Sequence, residues 1–262
     1  MRRFNVNKSA IRLLKGFYMF LMFAVFELGI LGAFLFVIPV IGIYRLFGGK
    51  DRYLMQRINR FFFGIWLRLL DAGGLFKANR IKGSPVDGPC VVVANHPGLF
   101  DVLVMVRDIP DLSVLAKKSL TALPGLAKIF DQAGFVFVLP DDDLSSSIDI
   151  TNKIVGLLKN GRKFMLFPEG TRSPKGDMHP FRSGAFKIAR AAGVPVQPVL
   201  IKNHPPFMPK EDKWYLPQSD KSVFDAEFLE PIPPPKTGKE LQEAKKIEKI
   251  LIQRLMLKQE TV

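Results

Sequence analysis

Cys90-Val91-Val92-Val93-Ala94-Asn95-His96-Pro97-Gly98-Leu99-Phe100-Asp101 is an apolar run, then a short turn rich in polar and helix-breaking residues, then the opening of a helix. A run of β-branched residues stopped this abruptly reads as a strand buried on both faces, and the residues from Leu99 to Val106 continue as a helix. The same alternation recurs on either side. Strands are expected at 113–116, 135–139, 164–167, 195–201 and 223–228, and helices at 123–133, 145–159, 183–192 and 239–258. Strands that alternate with helices make an α/β domain, here beginning after Gly73-Gly74. Residues 202–221, rich in Pro, Lys and Asp, read as a surface excursion, and Pro231 to Pro235 as a stiff connector to a charged last helix.

The turn after the first strand carries chemistry. An imidazole takes up a proton near neutral pH, and an ionised carboxylate within reach fixes its tautomer and stabilises the imidazolium, so His96 with Asp101 suits activation of a hydroxyl. A second polar turn, Phe167-Pro168-Glu169-Gly170-Thr171-Arg172-Ser173, also follows an apolar strand. Arg172 offers planar, permanently charged donors for a phosphate, Gly170 allows close backbone approach to a ligand, and Glu169 can hold the arginine or a substrate hydroxyl. The bland alternatives are a structural His–Asp pair and a capped turn with a solvated arginine. No serine sits in a nucleophile elbow, and His179 and His204 have no nearby histidine or cysteine, so neither an acyl-serine nor a metal centre is expected. Cys90, the single cysteine, excludes an intrachain disulfide and reads as core, compatible with a reducing compartment.

Upstream the composition changes. Residues 16–44 are apolar or small except for Glu27, and Phe17 to Ile38 alone would span roughly 33 Å as a helix, the thickness of a bilayer's hydrocarbon core. Arg12 and Lys15 before it and Arg45 after it mark a retained anchor rather than a cleaved leader, and leave orientation open. Pro39 and Gly42 allow the segment either to cross the bilayer or to dip in and return. Residues 51–70 read as an interfacial amphipathic helix, with Leu54, Ile58, Phe61, Phe62, Ile65, Trp66 and Leu69 on one face and Arg52, Gln56, Arg60 and Arg68 on another. A core helix of the α/β domain is the alternative. The chain thus divides into residues 1–72, the membrane anchor and amphipathic helix, and 73–262, the α/β domain.

The net charge of +14, from 38 Lys and Arg against 24 Asp and Glu, favours anionic partners: phosphorylated substrates, nucleic acid or an anionic leaflet. Nucleic acid is not expected, because zinc-finger spacing and RNA-recognition aromatic strings are lacking and the apolar N-terminal run serves no such task.

His96 with Asp101 in an Asn-His-x-x-x-x-Asp string, and Phe167 to Ser173, resemble the first and third motifs of the glycerolipid acyltransferase family, which contains the bacterial 1-acylglycerol-3-phosphate acyltransferases. Ala116-Lys117-Lys118-Ser119-Leu120 resembles the family's lysine-bearing segment, and Val194 to Val199 its fourth motif, so the likeness runs over residues 80–201. It implies a mixed sheet covered by helices, with a membrane-embedded N-terminal segment. It further implies transfer of a fatty acyl chain from acyl-carrier protein or acyl-CoA to the free hydroxyl of lysophosphatidic acid, with His96 as base and Asp101 as its partner. Lys117, Glu169, Gly170, Thr171 and Arg172 are implied in substrate binding, no cofactor beyond the acyl thioester is implied, and the setting is the cell membrane with the catalytic domain at its cytoplasmic face. One departure stands out. The family's second motif leads to a basic residue, whereas Gly134 to Val138 lead here to Leu139, Pro140 and Asp141 to Asp143. Charge for an acceptor phosphate then falls to Lys117 and Arg172, with Lys118 and Arg182 in support, or the acceptor is another lyso-lipid such as lyso-ornithine lipid. Donors for the oxyanion are sought in backbone amides near Gly170 or Val194. A non-catalytic lipid-binding protein is the rival outside this class.

Overall fold

The computed structural model describes residues 8–49, 51, 53–117, 125–138, 148–174, 177–208, 215 and 217–256. Val91, Val92, Val93 and Ala94 form a strand buried at every position, as expected of a run with no polar face to offer solvent. Among the described residues, seven strands build one sheet: β1 (Phe76–Ala78), β2 (Val91–Ala94), β3 (Leu112–Lys117), β4 (Val136–Val138), β5 (Lys163–Leu166), β6 (Val196–His204) and β7 (Ser222–Phe228). Their order is β1-β7-β6-β2-β5-β3-β4. All neighbours are parallel except β6 and β7, so the sheet is mixed. β1 has no counterpart in the sequence reading. Its three residues, Phe-Lys-Ala, are too few to show a period, and pairing with β7 is what makes them a strand.

Side chains alternate across the sheet into two apolar layers. Val91 and Val93 of β2 join Phe164 and Leu166 of β5 under α6 (Ile148–Lys159), α7 (Gly184–Ala192) and the terminal α8 (Glu240–Met256). Val92 and Ala94 face the other way, toward α4 (Asp101–Asp108), α5 (Leu126–Gln132) and α3 (Leu54–Ala72). The starts expected for α5 and α6, at 123 and 145, lie outside the described residues, as do Lys118 to Leu120 and Leu139 to Asp143.

The N-terminal run is helical from Lys8 to Leu46: α1 (Lys8–Gly32), a π-helical turn at Ala33–Val37, then α2 (Ile38–Leu46). It is long and apolar enough to cross a membrane. Pro39 ends nothing here, because it sits in the first turn of α2, where its missing N–H is not needed. α1 lies against the end of α3: Tyr18 donates to the Leu69 carbonyl at 2.8 Å, Trp66 to Met22 at 3.2 Å and Lys15 to Gly74 at 2.6 Å. Met19 and Met22 are buried in the same apolar layer as Leu70, Phe76 and Met105.

α3 has a buried face and also keeps apolar side chains exposed. Met55, Phe63, Trp66, Leu67 and Leu70 are buried, whereas Phe61, Phe62, Ile65 and Leu69 remain exposed. Gln56 corrects the expected polar face: it is buried, and its amide donates to the Leu112 carbonyl at the start of β3. That bond engages its amide nitrogen, while Gln56 Oε1 is buried with no hydrogen-bond partner among the described residues.

Candidate active site

β2, β5 and β3 are parallel and adjacent, so the turns that follow β2 and β5 and the end of β3 all lie at one edge of the sheet. Asn95 fastens the first turn to β6. Its amide donates to the Ile201 carbonyl at 2.9 Å and its oxygen accepts from the Ile201 N–H at 2.8 Å. The next residue, His96, lays its ring on that of Phe167, with centroids 3.8 Å apart and planes 11° from parallel. Phe167 immediately follows β5, so this stack sets the imidazole between the two turns.

His96 Nδ1 lies 3.0 Å from Asp101 Oδ2, which also accepts the Gly98 N–H at 2.8 Å. An ionised carboxylate can only accept, so Nδ1 carries the proton and Nε2 keeps its lone pair for a substrate. The imidazole is 15% exposed and the carboxyl is fully buried. Burial pushes the Asp101 carboxyl above the usual carboxylate range, while the hydrogen bond and charge of His96 and the Gly98 N–H oppose that rise.

Glu169 joins the two turns rather than facing Arg172. Its Oε1 accepts the His96 N–H at 2.9 Å and the Ser173 hydroxyl at 2.8 Å, and its Oε2 accepts the His179 N–H at 2.8 Å. Ser173 N–H closes the loop by donating to the His96 carbonyl at 2.8 Å. Gly170 has φ 74°, a conformation that costs glycine least, and the Arg182 guanidinium lies about its open side, where a Cβ would be 3.5 Å from Cζ. Arg172, half-buried, donates through Nη1 to the Met208 carbonyl at 2.6 Å. Lys117 ends β3 at the same edge of the sheet, exposed, and Thr171 is half-buried in the turn. Among the backbone amides near Gly170 and Val194 considered for an oxyanion, those of Gly170 and Val194 themselves are committed: Gly170 N–H donates to Phe167 and Val194 N–H to Ala189.

The acyltransferase family pattern matches residues 76–202, which contain both turns. A chloroplastic 1-acyl-sn-glycerol-3-phosphate acyltransferase of Brassica napus is 32% identical over 138 residues, covering 53% of this chain and 40% of the relative. The family-pattern match takes in just under half of the chain. A 1-acyl-sn-glycerol-3-phosphate acyltransferase of Saccharomyces cerevisiae is 36% identical over 119 residues, covering 44% of this chain and 39% of its own. The chain spans about half the length of the curated relatives it matches. It shares its fold with the crystal structure of the 1-acyl-sn-glycerophosphate acyltransferase from Thermotoga maritima, with a TM-score of 0.71 at 23% identity over 97% of this chain and 98% of that one.

One segment near this site differs from its sequence reading. Residues 202–208, expected to begin a surface excursion, continue β6 to His204 and then turn Phe207 and Met208 inward, each 5% exposed. Phe207 packs on Phe76 and Phe100 with centroids 5.0 and 5.1 Å away, and its carbonyl accepts the Leu99 N–H at 3.3 Å. The prolines at 205 and 206 masked this apolar pair, since they signal irregular backbone but say nothing about burial.

Proposed function

We propose that the protein transfers a fatty acyl group from an acyl thioester, acyl-carrier protein or acyl-CoA, to the free hydroxyl of lysophosphatidic acid, giving phosphatidic acid. The observation that carries this reading is the partly open His96 imidazole, oriented by buried Asp101 and tied through Glu169 to the arginine-bearing turn. His96 Nε2 takes the acceptor's hydroxyl proton as its oxygen bonds to the thioester carbonyl carbon. The tetrahedral intermediate then expels the thiolate, breaking the C–S bond, and the imidazolium returns the proton to sulfur. Asp101 stays ionised throughout and stabilises the imidazolium. No acyl-enzyme forms. Arg172 keeps N–H groups beyond the one given to Met208, and with Lys117 these are the cations offered to the acceptor phosphate. The acyl thioester is the only co-substrate in this scheme.

The exposed apolar surface of α1 and α2 and the side chains of Phe61, Phe62 and Ile65 support a membrane-bound enzyme whose acceptor arrives from the bilayer. We place it at the cell membrane with residues 73–262 as a catalytic domain on the cytoplasmic side, the relatives' names supplying the acceptor class.

The test is thiol release by protein in detergent with lysophosphatidic acid and acyl-CoA or acyl-carrier protein. His96→Ala should lower the rate about a thousand-fold or more with the fold intact. Arg172→Ala and Lys117→Ala should raise KM for lysophosphatidic acid more than for a neutral lyso-lipid. Turnover of lyso-ornithine lipid alone would replace the acceptor, and no release from any acceptor would leave a lipid-binding protein.

A further inference from the structure

Behind the His96–Asp101 pair lies a polar side chain outside every motif named above. Asn203, 8% exposed, stands on β6 two residues beyond Ile201, which anchors Asn95. The Ser222 hydroxyl of β7, which also lies against the Pro205 carbonyl, donates to Asn203 Oδ1 at 2.6 Å. The hydroxyl has a single proton for those two acceptors, so the amide's orientation is set from its other side: Asp101 Oδ1 can only accept, and only the Nδ2 end of the amide can donate to it. Asn203 Nδ2 and Asp101 Oδ1 are both sealed from solvent, one a donor and the other an acceptor, and neither has another hydrogen-bond partner among the described residues. Both lie above Gly98. A Cβ on Gly98 would overlap Asn203 Nδ2 and sit 3.2 Å from Asp101 Oδ1 and 3.0 Å from the Phe207 carbonyl. A buried donor and a buried acceptor left unmet side by side would each cost about 1–3 kcal/mol, which their meeting removes.

Given the proposed base, we propose that Asn203 is a positioning residue whose amide donates to Asp101 Oδ1, extending the His96–Asp101 pair into a relay of three. Asp101 then has both oxygens held, Oδ2 by His96 and Gly98 and Oδ1 by Asn203, so its carboxyl plane cannot rotate away from the imidazole. The amide is also among the groups that draw the Asp101 carboxyl back down against burial. By sharing the carboxylate's charge, Asn203 moderates how strongly Asp101 holds the Nδ1 proton. Other charged groups are already engaged. Glu169 is bound to the His96 N–H and Arg172 to the Met208 carbonyl, and Lys202 and His204 alternate to the opposite face of β6 from Asn203.

Two nearly isosteric variants of the full chain in detergent test this, read by the pH profile of thiol release and by the proton resonance of His96 Nδ1–H without substrate. Asn203→Leu removes the donor at every pH. It should lower kcat about ten-fold or more with little change in KM, shift the acid limb of the profile upward, and move the Nδ1–H resonance downfield as Asp101 becomes a stronger acceptor. In Asn203→Asp the facing carboxyls share a proton, so the donor persists only while that proton stays. This variant should gain an alkaline limb of lost activity that neither wild type nor Asn203→Leu shows. Should Asn203→Leu fail to fold, Asn203→Asp decides alone. A wild-type profile in Asn203→Asp, or a lowered kcat in Asn203→Leu with the acid limb and Nδ1–H resonance unmoved, would overturn the relay. Because the resonance is read without substrate, it can fail independently of the acceptor assignment.

Discussion

Asp101 is a buried carboxylate whose cost is accepted for the sake of its partner. Asp101→Asn keeps the shape of the site but replaces Oδ2, on one side or the other, with a group that no longer compels the Nδ1–H tautomer, and kcat should fall by about three to four orders of magnitude. Stability should move the other way. The carboxyl's pKa is raised on folding, so its contribution is full below the ordinary carboxylate range and is lost as pH rises through the folded value. At neutral pH the variant sheds that penalty and should melt no lower than wild type, as differential scanning fluorimetry across pH 4–8 will show. A melting point well below wild type at neutral pH would mean that the negative charge itself holds the turn. Much of this site was legible at the level of single residues: His96, Asp101, Glu169 and Arg172 stand in two turns that announce themselves after apolar strands. Partners were not. Glu169 was read as holding Arg172 or a substrate hydroxyl, and the three hydrogen bonds it accepts from His96, Ser173 and His179 were not foreseen, because a partner set by tertiary closure leaves no trace in local spacing. Asn203 was invisible for the same reason, lying on a distant strand with no motif around it.

α3 shows how one helix can carry two apolar faces. Its inner face presents Trp66, which packs edge-on to Phe100 with centroids 4.7 Å apart, and Phe100 immediately precedes Asp101. Its outer face presents Phe61 at 66% exposure and Phe62 at 44%. A single amphipathic stripe was the natural reading of the sequence, since a run with Leu, Ile, Phe and Trp at nearly every turn fits either face. What the period could not disclose is that the stripe is wide enough to be shared between core and solvent. The outer side chains touch little of the protein, so Phe61→Ser with Phe62→Ser should leave the melting temperature within a few degrees of wild type. Burying two such rings at a membrane interface is worth about 1.5–3 kcal/mol each at most. Turnover of an acceptor presented in anionic vesicles should therefore fall about ten-fold or more, while turnover of the same acceptor dispersed in detergent is retained. Equal losses in both media would show that the rings act on the fold or the substrate pocket. By contrast β2 and β5 were read almost to the residue, because strands buried on both faces carry their signal in every position, whereas β6 was ended three residues early at Ile201 and β1 was lost for want of length.

At the scale of the molecule, the question is whether residues 1–72 fold apart from 73–262. The apolar layer argues for one cooperative unit: Met19 of α1, Trp66 and Leu70 of α3, Phe100 and Met105 around α4, and Val92 of β2 belong to a single cluster. Phe23 extends the chain of rings from α1 to Trp66 and Phe100 at 6.3 and 6.4 Å. Cys90 is a reporter placed at the middle of this structure. It enters β2, the central strand of seven, is fully buried, and burial pushes its thiol up to about 11 against a smaller opposing effect from Lys163. A thiol whose pKa rises on folding contributes stability that is whole below its unfolded value near 9 and is lost as pH climbs through about 11. At pH 8, then, Cys90 is both inaccessible and protonated, and labelling by a thiol reagent requires the sheet to open. Met19→Ala removes a fully buried side chain from α1, at a cost of about 2–5 kcal/mol. If the layer is continuous, that cost reaches β2, and Cys90 in detergent-solubilised protein should label faster by a factor of about thirty or more, as it should in Met105→Ala. If α1 and α3 formed a separate unit, Met105→Ala would accelerate labelling and Met19→Ala would leave it unchanged. The aromatic chain from Phe23 through Trp66 to Phe100 makes the first outcome the expected one, and it would tie the exposed apolar helices α1 and α3 energetically to the turn that presents His96.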